Sequence, residues 1–268
     1  MLAPPLDLKS ARPQLVGVVH LGALPGAPRF GGDLDAVIAR AEEDAERLRD
    51  GRLDALVVEN FGDVPFFGGP VPSETIAAMA RAIDAVRRVA PNLPLGVNVL
   101  RNDARAALGL CAATGASFLR VNVHSGTMHT DQGTLVGRAA ETVRERARLA
   151  PHVVIFADIH VKHATPPPGE RLIDAARDAR LRGLADALVI SGRATGSAAA
   201  MEDLVQVREA LPDTPLFIGS GLNPSNAAEL LTVANGAIVA TCLEVDGVPG
   251  APVDPQRVAA LNTALGRS

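Results

Sequence analysis

The stretch "VVIFADIHVKHA", residues 153–164, opens as a continuous apolar run and then alternates, with Asp158, His160 and Lys162 on every second position. A period of two belongs to a strand, whose successive side chains point to opposite faces. A strand that is apolar on both faces is one buried on both faces, as in a parallel sheet covered by helices. Here it ends in a carboxylate, an imidazole and an amine on one face, so that face is expected to be polar and to carry chemistry.

Seven other runs share this character: "QLVGVVHL" from Gln14, "ALVVEN" from Ala55, "LGVNVL" from Leu95, "FLRVNV" from Phe118, "ALVISG" from Ala187, "LFIGSG" from Leu216 and "GAIVAT" from Gly236. Between them lie Ala-, Arg- and Glu-rich segments with helical spacing, such as "DLDAVIARAEEDAERLRD" and "GRAAETVRERARLA". Eight strands alternating with helices predict an α/β protein with a single (β/α)₈ TIM barrel. A doubly wound open sheet is the alternative. Against it, strand 1 runs into "GALPGAPRFGG", which is neither a GxGxxG nor a P-loop. No linker or change of composition divides the chain, so residues 1–268 read as one domain, with 1–13 as an extension and the barrel over about 14–268.

Composition narrows the function. Hydrophobic residues make up 47 % and charged residues 21 % of the 268 residues, enough for a large core. The net charge is -4, and no basic run offers the phosphate-neutralising surface that nucleic acid requires. Cys111 and Cys242 are far apart and fit no metal-ligand spacing, which suits a reducing cytoplasm and thiols packed as small hydrophobes. The first residues, "MLAPPLDLKSARPQ", lack the apolar core of a signal peptide, and no run is long enough to span a bilayer. A cytoplasmic protein without integral membrane association is expected, and the base rate for soluble enzymes makes a homo-oligomer the expectation.

In a TIM barrel the chemistry collects at the C-terminal ends of the strands. Five of the six histidines fall there: His20 after strand 1, His124 and His129 after strand 4, His160 and His163 at strand 5; only His152 falls at the opposite rim. Parity places His20, Glu59, Asn98, Asn122, Asp158, His160 and Ser191 on the barrel axis, with Arg120 one layer deeper. Glu59, Asp158, His160 and Lys162 are the catalytic candidates, because carboxylate and imidazole in one partly dry cavity can be driven to different protonation states. His20, Asn98, Asn122 and Ser191 are the substrate-binding candidates. The plainer readings are an ion pair of Glu59 or Asp158 with Arg120, a structural Asp158–His160 pair, and Lys162 and His163 as solvated loop residues. A divalent metal on His20, Glu59, Asp158 and His160 is chemically conceivable but lacks compact spacing, so no cofactor or metal is predicted.

Strands 6, 7 and 8 end in small residues, "VISGRATGS", "FIGSGLNPSNA" and "IVATC". Backbone N–H groups at Gly192, Gly196, Ser220, Gly221 and Thr241 are therefore expected to cradle a phosphate. Asn223 and Pro224 would start a helix whose N-terminus points at the same place. Tight turns and close helix packing are the plainer explanation of these glycines.

The segments "GVVHLGALPGAP", "ALVVENFGDVPF", "RVNVHSG", "DQG", "ADIHVKHA", "SGRATG" and "GSGLNPSNA" together resemble the BtpA/SgcQ family, grouped with the ribulose-phosphate-binding barrels. The resemblance runs from about Gln14 to Pro252 and implies a TIM barrel with a phosphate-type site. Around strand 8 the chain departs from the family pattern: Asn235 precedes Gly236, Ala240 precedes Thr241, and Glu244 stands near the place of a lysine. The resemblance carries no settled activity, and the residues leave two functions of different kinds open. One is an enzyme acting on a small phosphorylated, sugar-phosphate-like metabolite by acid–base chemistry, with an isomerase or epimerase favoured over a lyase that uses Lys162. The other is a non-enzymatic assembly or stability factor, like the cyanobacterial members associated with photosystem I.

Overall fold

The computed structural model of the chain describes residues 2–192 and 201–267. Eight parallel strands close into a barrel: β1 (Gln14–His20), β2 (Ala55–Glu59), β3 (Leu95–Asn98), β4 (Phe118–Val121), β5 (Val154–Ile159), β6 (Ala187–Ile190), β7 (Leu216–Ile218) and β8 (Gly236–Val239). Each strand pairs with its sequence neighbours, and β8 closes on β1 with Gln14 opposite Gly236. The helices outside the barrel are α1 (Leu34–Asp50), α2 (Ser73–Val89), α3 (Ala104–Thr114), α4 (Ala139–Leu149), α5 (Leu172–Arg177), α6 (Met201–Ala210), α7 (Ala227–Leu230) and α8 (Pro255–Ala264). This is the expected (β/α)₈ barrel.

Local sequence explains the elements. Asp33 caps α1 by accepting the Ala36 amide at 2.9 Å, and the helix buries Ile38, Ala41, Ala45 and Leu48 against the barrel. Asp254 and Pro255 start α8 in the same way, with the Pro at a position where no donor is lost. The outward-facing strand residues join these helix faces in one large core.

The inward-facing residues form a second core of Val16, Val18, Val57, Phe118, Phe156, Val189, Phe217 and Ile238. Phe156 lies between Phe118 and Phe217, with ring centroids 5.3 and 4.9 Å away. Glycines make room for these rings: a Cβ on Gly96 would lie 2.1 Å from Phe118, and one on Gly236 would lie 2.5 Å from Phe217. Leu6, from the N-terminal segment, joins this inner core. The barrel is therefore packed below and polar above.

The sequence reading lacks one feature. After β4 the chain forms a hairpin, Thr127–Thr130 with Gly133–Val136, to which Ala164–Thr165 adds a third antiparallel strand. Its turn is the "DQG" segment. Strand β4 also ends at Val121, two residues earlier than "FLRVNV" suggests, and the chain leaves the barrel there to build the hairpin. No described helix is long and apolar enough to cross a membrane.

Candidate functional site

Above the phenylalanine layer, Arg120 of β4 and Asp158 of the adjacent β5 lie side by side on the inner face of the barrel. Arg120 Nε donates to both Asp158 oxygens at 3.2 and 3.1 Å, and Asn122 Nδ2 donates to Oδ2 at 2.6 Å. Arg120 Nη2 lies 3.1 Å from Asp158 Oδ1 but makes no hydrogen bond among the described residues. Of the two carboxylates expected to pair with Arg120, Asp158 is the closer partner. Burial opposes the arginine's charge, yet Asp158 and Glu59 outweigh it and hold the guanidinium more firmly protonated than usual.

One layer higher, Glu59 ends β2. Its Oε2 accepts from Asn98 Nδ2 at 2.5 Å, and its Oε1 lies 3.7 Å from His20 Nε2. Burial would raise this carboxyl, but His20, Arg120, Lys162 and the Asn98 amide together pull it below the ordinary glutamate value. Glu59 is thus ionised at neutral pH although buried.

Lys162 is not a solvated loop residue. It enters the same cavity as Glu59 and Arg120, and its carbonyl is held by Arg101 Nη2 at 2.7 Å. Burial lowers its amine below the usual lysine value; Arg120 and Arg101 lower it further, while Glu59 and Asp158 act in the opposite sense. Arg101 is buried just beyond β3, and sequence reasoning missed it.

The cavity measures about 160 Å³ and lies between two groups of residues. On one side are His20, Glu59, Arg120 and Lys162; on the other are Ser220, Gly221 and Asn223 after β7 and Ala240, Thr241 and Cys242 after β8. Three of the expected phosphate residues, Ser220, Gly221 and Thr241, are therefore on the cavity wall. Gly221 has φ +78°, a conformation that glycine adopts without strain. Gly192 is buried behind β6, and Gly196 lies outside the described residues. Ser191 Oγ faces inward against Gly219, where a Cβ would lie 2.3 Å from it. Burial pushes the Cys242 thiol up to about 11, so it remains a neutral wall residue.

His160 requires a correction. It was expected on the barrel axis with Asp158, but β5 ends at Ile159 and His160 has φ +50°. Leaving the strand breaks its parity, and the imidazole lines a second pocket of about 30 Å³ together with Asp158, Asn122, Ser125 and Glu170, room for a water or two. There its Nε2 lies 3.3 Å from Glu170 Oε2. The four residues weighed as metal ligands are accordingly divided between two pockets, and no metal-binding cluster of three His, Cys, Asp or Glu occurs among the described residues. Of the other rim histidines, His20 lines the cavity, whereas His124 is buried with Nε2 2.8 Å from Gly183 O and His129 is on the hairpin.

The helix after β7 also differs from expectation. Asn223 does not cap it; its Oδ1 accepts from the Ser225 amide and hydroxyl in a turn, and α7 begins only at Ala227, with four residues. So short a helix supplies no useful dipole, and any anion would rest on loop amides.

A model of the BtpA family matches residues 11–266. The chain belongs to the BtpA family. Over 251 residues it is 45 % identical to the photosystem I biogenesis protein BtpA of Synechocystis sp., covering 94 % of this chain and 87 % of that one. Among solved structures, the native KDPGal structure superposes with a TM-score of 0.57 at 15 % identity, covering 98 % of both chains. Phosphoribosyl anthranilate isomerase from Thermus thermophilus superposes with a TM-score of 0.56 at 14 % identity, covering 94 % of this chain and 98 % of that one. At these identities the structural likeness establishes the barrel alone. This BtpA-family chain places Glu244, a residue to which sequence reasoning gave no role, against His20 with Nδ1 to Oε1 at 2.6 Å.

Proposed function

We propose that the cavity binds a small phosphorylated, sugar-phosphate-like metabolite and that the protein is an enzyme that moves a proton on it, by isomerisation or epimerisation rather than by carbon–carbon cleavage. The observation that carries this reading is that Ser220, Gly221 and Thr241 share one cavity with Glu59, Arg120 and Lys162. Its volume of about 160 Å³ is below that of sites for drug-sized ligands and suits a compact metabolite.

The phosphate rests on the β7 and β8 loops, which orients the rest of the molecule toward Glu59. A buried but ionised carboxylate is a competent base. Glu59 takes a proton from a carbon next to a carbonyl; the C–H bonding pair becomes the carbon–carbon double bond, and charge develops on the carbonyl oxygen. Arg120 and Lys162 stabilise that oxygen in a water-poor site. Asp158, itself held by the Asn122 amide, fixes Arg120 in place, and Asn98 holds Glu59. The lyase alternative would use the Lys162 amine to form an imine with the carbonyl.

The test is deuterium exchange. A panel of triose to hexose phosphates is incubated in D₂O with the protein, and the carbon next to the carbonyl is followed by proton NMR. Exchange with at least one member, lost in Glu59→Gln, is expected; borohydride trapping of substrate on Lys162 without exchange would favour the lyase. The name of the 45 %-identical relative supports a second reading, a role in the assembly of a larger complex. A stoichiometric partner in pull-downs, together with no exchange, would favour it.

A further inference from the structure

His20 sits at the end of β1 under constraint from three sides. Its ring stacks on Phe61, with centroids 4.2 Å apart and planes 26° from parallel. Its Nδ1 lies 2.6 Å from Glu244 Oε1, and that oxygen also accepts the Gly250 amide at 3.1 Å. Glu244 is buried, and its Oε2 has no hydrogen-bond partner among the described residues. The two nitrogens of an imidazole point to opposite sides of the ring, so a ring whose Nδ1 is committed to Glu244 turns Nε2 the other way. There it lies 3.7 Å from Glu59 Oε1, on the cavity wall. A carboxylate on Nδ1 fixes the tautomer, so a proton gained or lost by the ring passes through Nε2, and it is the protonated ring that lowers the Glu59 carboxyl.

We propose that His20 is the second proton-transfer group of the cavity, with Glu244 as its positioning residue. This rests on the reading of the cavity as a phosphorylated-metabolite site. Glu59 handles the carbon-bound proton and His20 the oxygen-bound one. Nε2 accepts the proton of the substrate hydroxyl beside the carbonyl, and the O–H pair stays on that oxygen. The imidazolium, flanked by Glu244 and Glu59, then returns the proton to the former carbonyl oxygen. Glu59 then delivers its proton to the former carbonyl carbon as the pair on the deprotonated oxygen forms the new carbonyl, so the substrate leaves as its isomer and both side chains regain their starting protonation. The arrangement assigns to Glu244 the work of holding His20 in the accepting tautomer.

Proton–nitrogen NMR of the protein labelled with ¹⁵N-histidine tests this, with the His20 signals assigned by their loss in His20→Gln. The expected result is a protonated Nδ1 and an unprotonated Nε2 in the neutral ring. Glu244→Leu should abolish that preference, and Glu244→Gln, whose carbonyl still accepts from Nδ1 and from the Gly250 amide, should retain it. Inorganic phosphate should move the Nε2 resonance of His20 more than those of the other histidines. A protonated Nε2, or a tautomer that Glu244→Leu leaves unchanged, would overturn the proposal. So would phosphate binding, seen by ³¹P line broadening, that leaves Nε2 unmoved. If phosphate fails to bind at all, the phosphorylated-ligand reading falls while the tautomer experiments still decide the role of Glu244.

Discussion

Arg120 and Asp158 form an ion pair inside the barrel, on adjacent strands and 38 residues apart in sequence, with the side chain of Asp158 wholly buried. Neither charge touches bulk water, so each depends on the other. Removing Asp158 alone strands a guanidinium above the phenylalanine layer. Asp158→Ala is therefore expected to cost about 3–5 kcal/mol, the usual penalty for breaking a buried pair from one side. Urea denaturation checks this, and Arg120→Met in the Asp158→Ala background should recover part of the loss. A small cost for Asp158→Ala would mean that water reaches Arg120.

The interior below that pair tests the packing. A Cβ at Gly96 would lie 2.1 Å from Cε2 of Phe118, well inside any contact a real side chain makes. Gly96→Ala should then destabilise the barrel by about 1–3 kcal/mol through overpacking. Phe118→Leu in the same chain should relieve most of it, and the two effects measured by thermal unfolding should be non-additive. Additive effects would place the strain somewhere other than this contact.

The barrel was legible in the sequence because its strands are buried on both faces, and the inward parity of His20, Glu59, Asn98 and Asp158 was legible because alternation is geometric. The limits have equally physical causes. Parity holds only while the strand lasts, and β5 ends at Ile159, which turns His160 into another pocket and lets Lys162 enter the cavity. The pairing of His20 with Glu244 spans 224 residues and joins a strand end to an irregular segment, where no period exists to read. The hairpin after β4 announces itself only by "TMHTDQGTLV", short polar strands around a two-residue turn. At the ends of β7 and β8 the small residues identified the cavity wall, but the Asn223-Pro224 signal belongs to a turn rather than to a helix start.

Glu59 ties the site to acid stability. Burial raises its carboxyl, yet His20, Arg120, Lys162 and Asn98 bring it below the ordinary 4.5. The folded form thus binds fewer protons than the unfolded chain in the window just below that value. A depressed carboxyl contributes stability that is present above 4.5 and is lost as the pH falls through the folded value. Glu59→Gln has no such group. The wild type is expected to lose stability more steeply than Glu59→Gln as the pH falls below about 5. Urea midpoints across that range provide the comparison; parallel curves would show that the carboxyl is not held ionised by its neighbours.

The proposed phosphate half of the site is built from the loops after β7 and β8. Gly221 has φ +78° and lines the cavity beside Ser220 and Thr241. A β-branched residue there meets two obstacles: it disfavours the left-handed conformation, and its methyls occupy the space an anion would take. Gly221→Val is thus expected to lower phosphate affinity at least about tenfold, a loss of about 1.4 kcal/mol of binding free energy. Gly221→Ala, with a smaller side chain in the same strained conformation, should fall between it and the wild type. Isothermal titration with inorganic phosphate measures the series, and a crystal grown in phosphate should show the anion near the amides of Ser220, Gly221 and Thr241. Glu59→Gln, on the opposite wall, should bind phosphate at least as well as the wild type, because it removes a negative charge without touching the loops. If Gly221→Val binds phosphate like the wild type, or the crystal shows only water at these loops, the anion site is elsewhere and the acid–base residues lose the group that would orient their substrate.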